Sequence, residues 1–207
     1  LLKFKNLKLK RNREKCLIIE PSIYIYNIKC SPFPYNENIE KNFIFTEKFI
    51  NKLNKKIQSK TILRVLKTDG KDYLKDNLKK KFNRIEICEL KESFKKRISE
   101  SKVVICKYLD TPISEVLFSD IPFIILIPKD FYLKKGFEKI FKNLKKNKIL
   151  FENPLEASSH LNKHWDKINT WWDDKNTIKC RNALKNEVGI LNKNCLKDTV
   201  SKVRGLA

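Results

Sequence analysis

Residues 107–122, KYLDTPISEVLFSDIP, combine the residue types that bind an anion. They follow a short apolar run at residues 103–106, which has the composition of a buried strand. Asp110 or Thr111 is suited to cap a helix that starts with Pro112. The free N–H groups and the positive end of such a helix favour a phosphate. This segment is therefore our first candidate for a binding site.

Three further side chains of this segment suit a nucleotide. The hydroxyl groups of Thr111 and Ser114 would add donors to a phosphate, and Glu115 could accept hydrogen bonds from a ribose diol. The same residues also fit an alternative without a ligand, in which Thr111 only caps the helix and Glu115 only complements its dipole. Both interpretations stay open on the residues alone.

Arg64 is the second candidate, and it lies in the β-rich run TILRVL at residues 61–66. Open α/β sheets bind ligands beyond the carboxyl ends of their strands, and arginine recognises phosphate in a bidentate manner. The alternative is a structural salt bridge between a buried Arg64 and an acidic residue. If Arg64 and the helix start at Thr111 share one edge of the sheet, both would contact the same diphosphate.

The two histidines and three tryptophans favour structural roles. His160 and His164 are four residues apart, a spacing that zinc sites use, but no HExxH frame exists and no third ligand is indicated. We expect no metal. Trp165, Trp171 and Trp172 could stack on a base or a sugar, but their helical spacing with neighbouring apolar residues favours core packing.

Several common catalytic and cofactor motifs are absent from the sequence. There is no GxSxG, Walker A or GxGxxG motif, and only four glycines occur in the chain. A glycine-rich phosphate loop is excluded, and we expect no cofactor.

The elements that would position these residues alternate between strand and helix. Such alternation predicts an α/β fold, a Rossmann-like three-layer domain whose mostly parallel sheet is flanked by helices. The predicted strands are residues 61–66, 84–88, 103–106, 123–127 and 149–151. Five predicted helices are residues 41–56, 72–82, 90–99, 112–118 and 134–146. A sixth is capped by Asn153 and continues through Trp172, and a seventh spans residues 176–188 and is ended by Gly189.

The net charge of +22 at first indicates a polyanion as partner. Of the 46 basic residues only seven are arginine, and lysine occurs with abundant Asn, Ile and Phe, as in A/T-rich genes. We therefore expect solvated lysines and no specific nucleic-acid partner. The six cysteines form no CxxC pair, which favours a reduced, cytoplasmic protein. No apolar run reaches the length of a membrane span.

The sequence predicts one domain with two flanking segments. We expect a basic N-terminal remnant at residues 1–15, a Rossmann-like domain at residues 16–189 and a tail at residues 190–207. Because the first residue is not methionine, we also expect the chain to be part of a longer protein.

The pattern of the second half resembles a family of surface-polysaccharide transferases. Its segments Y-x-x-T-x-x-x-E-x-L-x-x-x-x-P and W-D-x-x-x-x-W-W are present here, and residues 61–73 are similar to the family's arginine-bearing strand and following turn. The residues concerned are Tyr108, Thr111, Glu115, Leu117, Pro122, Trp165, Asp166, Trp171 and Trp172. The resemblance covers about residues 21–188.

This resemblance implies the C-terminal, donor-binding domain of a GT-B type glycosyltransferase. Its partners would be a nucleotide-sugar donor and a carbohydrate or lipid-linked acceptor, with an N-terminal acceptor domain missing from this chain. The donor site would comprise Arg64, Tyr108, Thr111, Ser114 and Glu115. Pro112 departs from the small or apolar residue common in the family, and we expect the chain alone to be inactive.

Two function classes therefore remain. The first is a cytoplasmic transferase domain, either soluble or peripheral at the inner face of the membrane. The second is a non-catalytic basic module that binds nucleic acid or anionic lipid headgroups. Lysines scattered over all helices favour the first class, and lysines clustered with exposed aromatic residues favour the second.

Overall fold

The computed structural model describes residues 7, 9, 12–20, 36–65, 79–88, 93–109, 111–129 and 136–188. Within this part of the chain, six strands form one parallel sheet in the order β3-β2-β1-β4-β5-β6. The strands are β1 (Lys15–Ile19), β2 (Thr61–Arg64), β3 (Glu86–Cys88), β4 (Ser101–Cys106), β5 (Phe123–Leu126) and β6 (Leu150–Phe151). Helices flank the sheet, and the predicted three-layer α/β fold is confirmed.

Strands β1, β4 and β5 are apolar on both faces, which is why they occupy the middle of the sheet. Ile19 pairs with Arg64 of β2 on one side and with Cys106 of β4 on the other. The carboxyl ends of β2, β1 and β4 are therefore level. Any side chain that follows these three strands is placed at the same edge.

The sequence prediction missed β1. It treated the chain before residue 16 as a remnant and residues 61–66 as the first strand, whereas β1 begins at Lys15 and pairs with both β2 and β4. The apolar part of β1 is short and follows a strongly basic segment, so its pattern alone is weak. Burial between two neighbours stabilises it as a strand. Leu7 and Leu9 also pack against the core.

Residues 79–81 are the end of one helix, and eight further helices have both ends in the described residues. They are α1 (Asn36–Lys52), α2 (Lys55–Gln58), α3 (Phe94–Glu100), α4 (Thr111–Ser119), α5 (Glu138–Lys146), α6 (Pro154–His164), α7 (Ile168–Trp172) and α8 (Lys175–Val188). Helices α1 and α6 pack together, and α8 packs against α4 and α5. Because β1 to β2 and β4 to β5 run in opposite directions across the sheet, right-handed crossovers place α1 and α4 on opposite faces.

Two predicted helices are divided in the structure. The helix expected at residues 41–56 ends at Lys52, and Asn54 caps α2 by accepting a hydrogen bond from the backbone N–H of Ile57 at 2.9 Å. The helix expected to continue through Trp172 ends at His164, and the chain starts α7 at Ile168. The apolar stripe stays on the core side through both helices, so periodicity alone did not reveal the break.

Other predicted elements agree within a few residues. Asn153 caps α6 as expected, with its side chain accepting from the N–H of Leu155. The predicted helix at residues 90–99 begins at Phe94, where Ser93 is the cap. Most of the helix expected at residues 72–82, and the helix-ending Gly189, lie outside the described residues.

Helix α7 crosses the amino edge of the sheet between the two helical layers. The indole N–H of Trp171 donates to the carbonyl of Asn147 at 3.1 Å, and that of Trp172 donates to the carbonyl of Asp120 at 3.3 Å. Asp120 lies three residues before β5, and Asn147 lies three residues before β6. Both tryptophans and Trp165 are buried, which confirms the core role predicted for them.

Candidate functional site

The strand order creates a topological switch point between β1 and β4. The chain leaves β1 towards β2 on one side, and it leaves β4 towards β5 on the other. Connections that diverge in this way leave a crevice beyond the carboxyl ends of the two strands, where open α/β sheets bind ligands. The residues that follow β1, β2 and β4 are therefore the ones to consider.

A buried ion pair occupies the switch point. Glu20 follows β1 and Lys107 follows β4, and the two residues are 5% and 4% exposed. The ammonium of Lys107 donates to both carboxylate oxygens of Glu20, at 3.0 Å to Oε1 and 2.8 Å to Oε2. The pair joins the ends of two adjacent strands.

Helix α1 completes the environment of this pair. The hydroxyl of Thr46 donates to Glu20 Oε1 at 2.7 Å, and the amide of Asn42 donates to Oε2 at 3.3 Å. Lys107 also donates to the hydroxyl of Thr46 and to the backbone carbonyl of Asn42. Burial lowers the pKa of Lys107, and the charge of Glu20 acts in the opposite direction. These four residues form one polar cluster on the face of the sheet that carries α1, and their polar groups are hydrogen-bonded to one another.

Arg64 lies at the same edge but points to the opposite face. It ends β2, it is 6% exposed, and its carbonyl accepts from the N–H of Glu20 at 3.0 Å. Its guanidinium lies 5.1 Å from the ring centre of Phe94, the first residue of α3. The prediction that Arg64 stands at the carboxyl end of a parallel strand is met by this geometry.

Helix α4 begins at the same edge. Thr111 is its first residue and is exposed, whereas Ser114 and Glu115 are half-buried in the next turn. Tyr108 lies before the helix, half-buried against the core. Asp110, the alternative cap, lies outside the described residues.

Arg64 and Glu115 interact electrostatically. Burial raises the pKa of Glu115, and the positive charge of Arg64 acts against this rise. Arg64 is therefore within electrostatic range of Glu115, on the side of the sheet that carries α3 and α4. This proximity suits two roles: a ligand site with one cationic and one acidic group, or the structural pair that the sequence left open.

The arrangement provides donors and acceptors for a charged, hydroxyl-bearing ligand. The guanidinium of Arg64 and the N–H groups in the first turn of α4 are of the type that binds an anion. The carboxylate of Glu115 can accept from hydroxyl groups. Glu20 also lies at this edge, but its carboxylate is paired with the ammonium of Lys107. The negative charge of Glu20 therefore does not cancel the positive charge of Arg64.

Sequence reasoning missed Glu20, Lys107, Thr46 and Asn42. One signal was available for Lys107, because a lysine that directly follows an apolar strand stands at the ligand-binding edge of a parallel sheet. Glu20 was hidden because β1 itself was not predicted. Asn42 and Thr46 lie in a helix whose surface mixes polar and apolar residues, so the sequence pattern did not single them out as site residues.

The histidines lie apart from this edge. The rings of His160 and His164 are 4.5 Å apart, and His160 also packs against Trp171 at 4.9 Å. Burial, followed by the charges of His164 and nearby lysines, lowers the pKa of His160 to about 4. Within the described ranges, no group of three His, Cys, Asp or Glu side chains could hold a metal ion.

Comparison with protein families identifies the chain at a coarse level. A model of a family described as LIC12162 family transferase matches residues 1–201, nearly the whole sequence. The chain belongs to this transferase family. No curated protein matches the chain. Within the part that the structure describes, no helix has the length and apolarity needed to span a membrane.

Proposed function

We propose that this chain is the donor-binding domain of a GT-B type glycosyltransferase that uses a nucleotide-activated sugar in surface polysaccharide assembly. The observation that carries the proposal is the position of Arg64, at the carboxyl end of β2, within electrostatic range of Glu115 in the first turns of α4, beside the switch point of the sheet. Membership in a transferase family supports a group-transfer reaction.

In this proposal the edge binds the donor through its diphosphate and ribose. Arg64 and the start of α4 bind the diphosphate, with the hydroxyl groups of Thr111 and Ser114 as further donors. Glu115 accepts from the ribose, and Tyr108 flanks the nucleotide. The charge of the leaving diphosphate is stabilised by Arg64 and the helix dipole without a metal ion. The acceptor and the catalytic base come from a second domain, as the family resemblance implies.

The Glu20–Lys107 pair has a positioning role in this proposal. It fixes the ends of β1 and β4, and through Thr46 it fixes α1 against the same edge. A rigid edge holds the binding groups in one geometry, which reduces the entropy that must be lost on binding.

The placement of the lysines supports this function over the general basic module. Lysines occur on every described helix except α4 and α7, which is the scattered distribution expected of a solvated surface. The candidate edge itself has balanced charge, with Arg64 and Lys107 opposed by Glu20 and Glu115. We place the domain in the cytoplasm.

A double-mutant cycle on nucleotide binding tests the proposal. Calorimetry with a set of nucleoside diphosphates identifies the ligand, and Arg64→Met and Thr111→Val are then measured singly and together. Arg64→Met should weaken binding by roughly 10- to 100-fold and Thr111→Val by about fivefold, because charge-assisted hydrogen bonds are the stronger ones. The two effects should be non-additive if both groups contact one diphosphate.

Matched controls lie at the opposite side of the molecule. Arg84→Met changes an exposed arginine at the amino end of β3, and Thr170→Val changes an exposed threonine of α7. Neither should alter binding. Binding of no nucleoside diphosphate, or strictly additive losses, would contradict the shared phosphate site.

The role of Glu115 is tested separately. Glu115→Gln should weaken binding of the nucleotide severalfold and change the melting temperature little, since the half-buried carboxylate becomes a neutral group of the same shape. A 2′-deoxyribose nucleotide should bind the variant and the wild type equally. Glu187→Gln on the exposed surface of α8 is the control. Unfolding of Glu115→Gln without a separate effect on binding would assign Glu115 to the structural pair.

A further inference from the structure

A large groove runs between α1, the start of α6 and the edge strand β6. Its volume is about 770 Å³, and it is lined by five lysines against two glutamates. The lysines are Lys41, Lys48, Lys129, Lys145 and Lys148. Because Lys41 precedes Asn42 in α1 and Lys129 follows β5, the groove opens at the same edge of the sheet as the candidate site.

Lysines outnumber carboxylates among the residues that line the groove. Lys145 pairs with Glu152 at 2.6 Å, which leaves Glu156 as the other carboxylate among the lining residues. Lys148 lies 5.8 Å from the ring centre of Phe151, a contact that keeps its ammonium in the groove. The positive end of α6 adds to this field. The lining of the groove therefore carries a net positive charge, which attracts anions.

The same groove exposes apolar side chains. Ile44 is 39% exposed and Leu155 is 46% exposed, and both line it. Of the large apolar residues that the structure describes, only Phe137 is exposed to a similar extent, and it lies outside the groove. Lysines beside exposed aliphatic residues make the groove amphipathic, a combination typical of surfaces that contact anionic lipid.

We propose that this groove binds anionic phospholipid headgroups and docks the protein on a membrane surface. The lysines contact the phosphate groups, and Ile44 and Leu155 contact the first methylene groups of the acyl chains. Docking in this orientation turns the carboxyl edge of the sheet towards the membrane. This inference goes beyond the proposed nucleotide site, because none of the groove residues belongs to that site.

The shape and residue types favour lipid over nucleic acid. Single-stranded nucleic acids bind proteins by stacking bases on exposed aromatic rings. In the groove Phe45 is half-buried and Phe151 is buried, whereas the exposed apolar groups are the aliphatic Ile44 and Leu155. Aliphatic side chains cannot stack on bases, but they can enter the boundary between headgroups and acyl chains.

Vesicle co-sedimentation tests the charge of the groove. The protein is mixed with phosphatidylcholine vesicles that contain or lack phosphatidylglycerol, and Lys41→Gln, Lys48→Gln and Lys129→Gln are combined in one variant. We expect binding only to the anionic vesicles and a loss on the order of 100-fold in the variant, since each lysine near an anionic surface contributes roughly a fivefold factor.

A control variant of equal net charge separates the groove from the overall charge. Lys95, Lys175 and Lys179 are exposed on α3 and α8, on the opposite face of the sheet from α1, and their combined change to Gln should weaken binding by no more than a fewfold. Equal losses in the groove and control variants would overturn the proposal. Absence of binding to anionic vesicles would overturn it as well.

The apolar contacts have their own test. Ile44→Ser with Leu155→Ser should reduce vesicle binding severalfold, whereas Phe137→Ser should not, although all three residues are similarly exposed. Tighter retention of the wild-type protein by RNA than by vesicles, abolished by the lysine variant of the groove, would assign the groove to nucleic acid and refute lipid docking. Nucleotide affinity should be unchanged in every groove variant, so failure here is distinguishable from failure of the proposed function.

Discussion

The buried pair of Glu20 and Lys107 should be a major determinant of stability. In Lys107→Met the carboxylate of Glu20 stays buried and keeps only the donors of Thr46 and Asn42. Removal of one partner from a buried ion pair costs about 3–5 kcal/mol, because the remaining charge is uncompensated. The two retained hydrogen bonds favour the lower end, so we expect the free energy of unfolding to fall by about 3 kcal/mol.

Removal of both charges should restore most of this loss. In the double variant Glu20→Gln/Lys107→Met, a neutral amide can still accept from Thr46, and no unpaired charge is buried. We expect a free energy of unfolding within about 1 kcal/mol of the wild type. Urea unfolding followed by circular dichroism gives both values, and an unchanged slope would show that the denatured state is the same.

An exposed ion pair is the matched control. Lys56 and Asp166 lie 2.5 Å apart with side chains 55% and 73% exposed. Lys56→Met should cost less than about 1 kcal/mol, since solvent screens exposed pairs. The reasoning is refuted if Lys107→Met costs no more than Lys56→Met, or if the double variant is as unstable as the single one.

Three further predictions concern other parts of the fold. The pKa of His160 is lowered from 6.5 to about 4, so the unfolded chain binds the proton first, and stability should be lost as pH falls from 6.5 towards 4. After solvent screening the loss should be on the order of 1–2 kcal/mol, and His160→Gln should flatten it in urea titrations at several pH values, whereas His164→Gln should flatten it less, because His164 is the less buried of the two. Asn153→Ala should lower the free energy of unfolding by about 1 kcal/mol, because its side chain accepts from a backbone N–H of the first helical turn at 2.9 Å. Burial raises the pKa of the thiols of Cys16 and Cys106, so their change to Ala should leave the number of rapidly reacting thiols of the native protein unchanged in a thiol-reagent assay.

The parallel sheet could be predicted because its central strands carry an unambiguous pattern. β4 and β5 are apolar on both faces and are separated by one short helix, which fits a right-handed crossover. The strand order could not be predicted, because it depends on β1, whose short apolar run was not recognised. With β1 absent, the switch point could not be located.

Some residues of the candidate site could also be predicted from the sequence, and others could not. Arg64, Thr111 and Glu115 could be proposed because each stands next to a recognisable strand or helix start. Glu20 and Lys107 are 87 residues apart, and only folding brings them together. In a chain with 46 basic residues, the place of Lys107 directly after an apolar strand indicates an edge position, but nothing in the sequence shows that this lysine becomes buried there.

The position of β1 has a consequence for folding during synthesis. Of the six described strands, β1 is made first by the ribosome, but its neighbours β2 and β4 begin only at Thr61 and Ser101. At typical rates of translation, roughly 5–15 s pass between the synthesis of β1 and that of its second neighbour. During this interval Leu17, Ile18 and Ile19 have no sheet to join, and an unpaired apolar strand is prone to aggregate. A chaperone that binds nascent chains should therefore contact this segment until β4 has emerged.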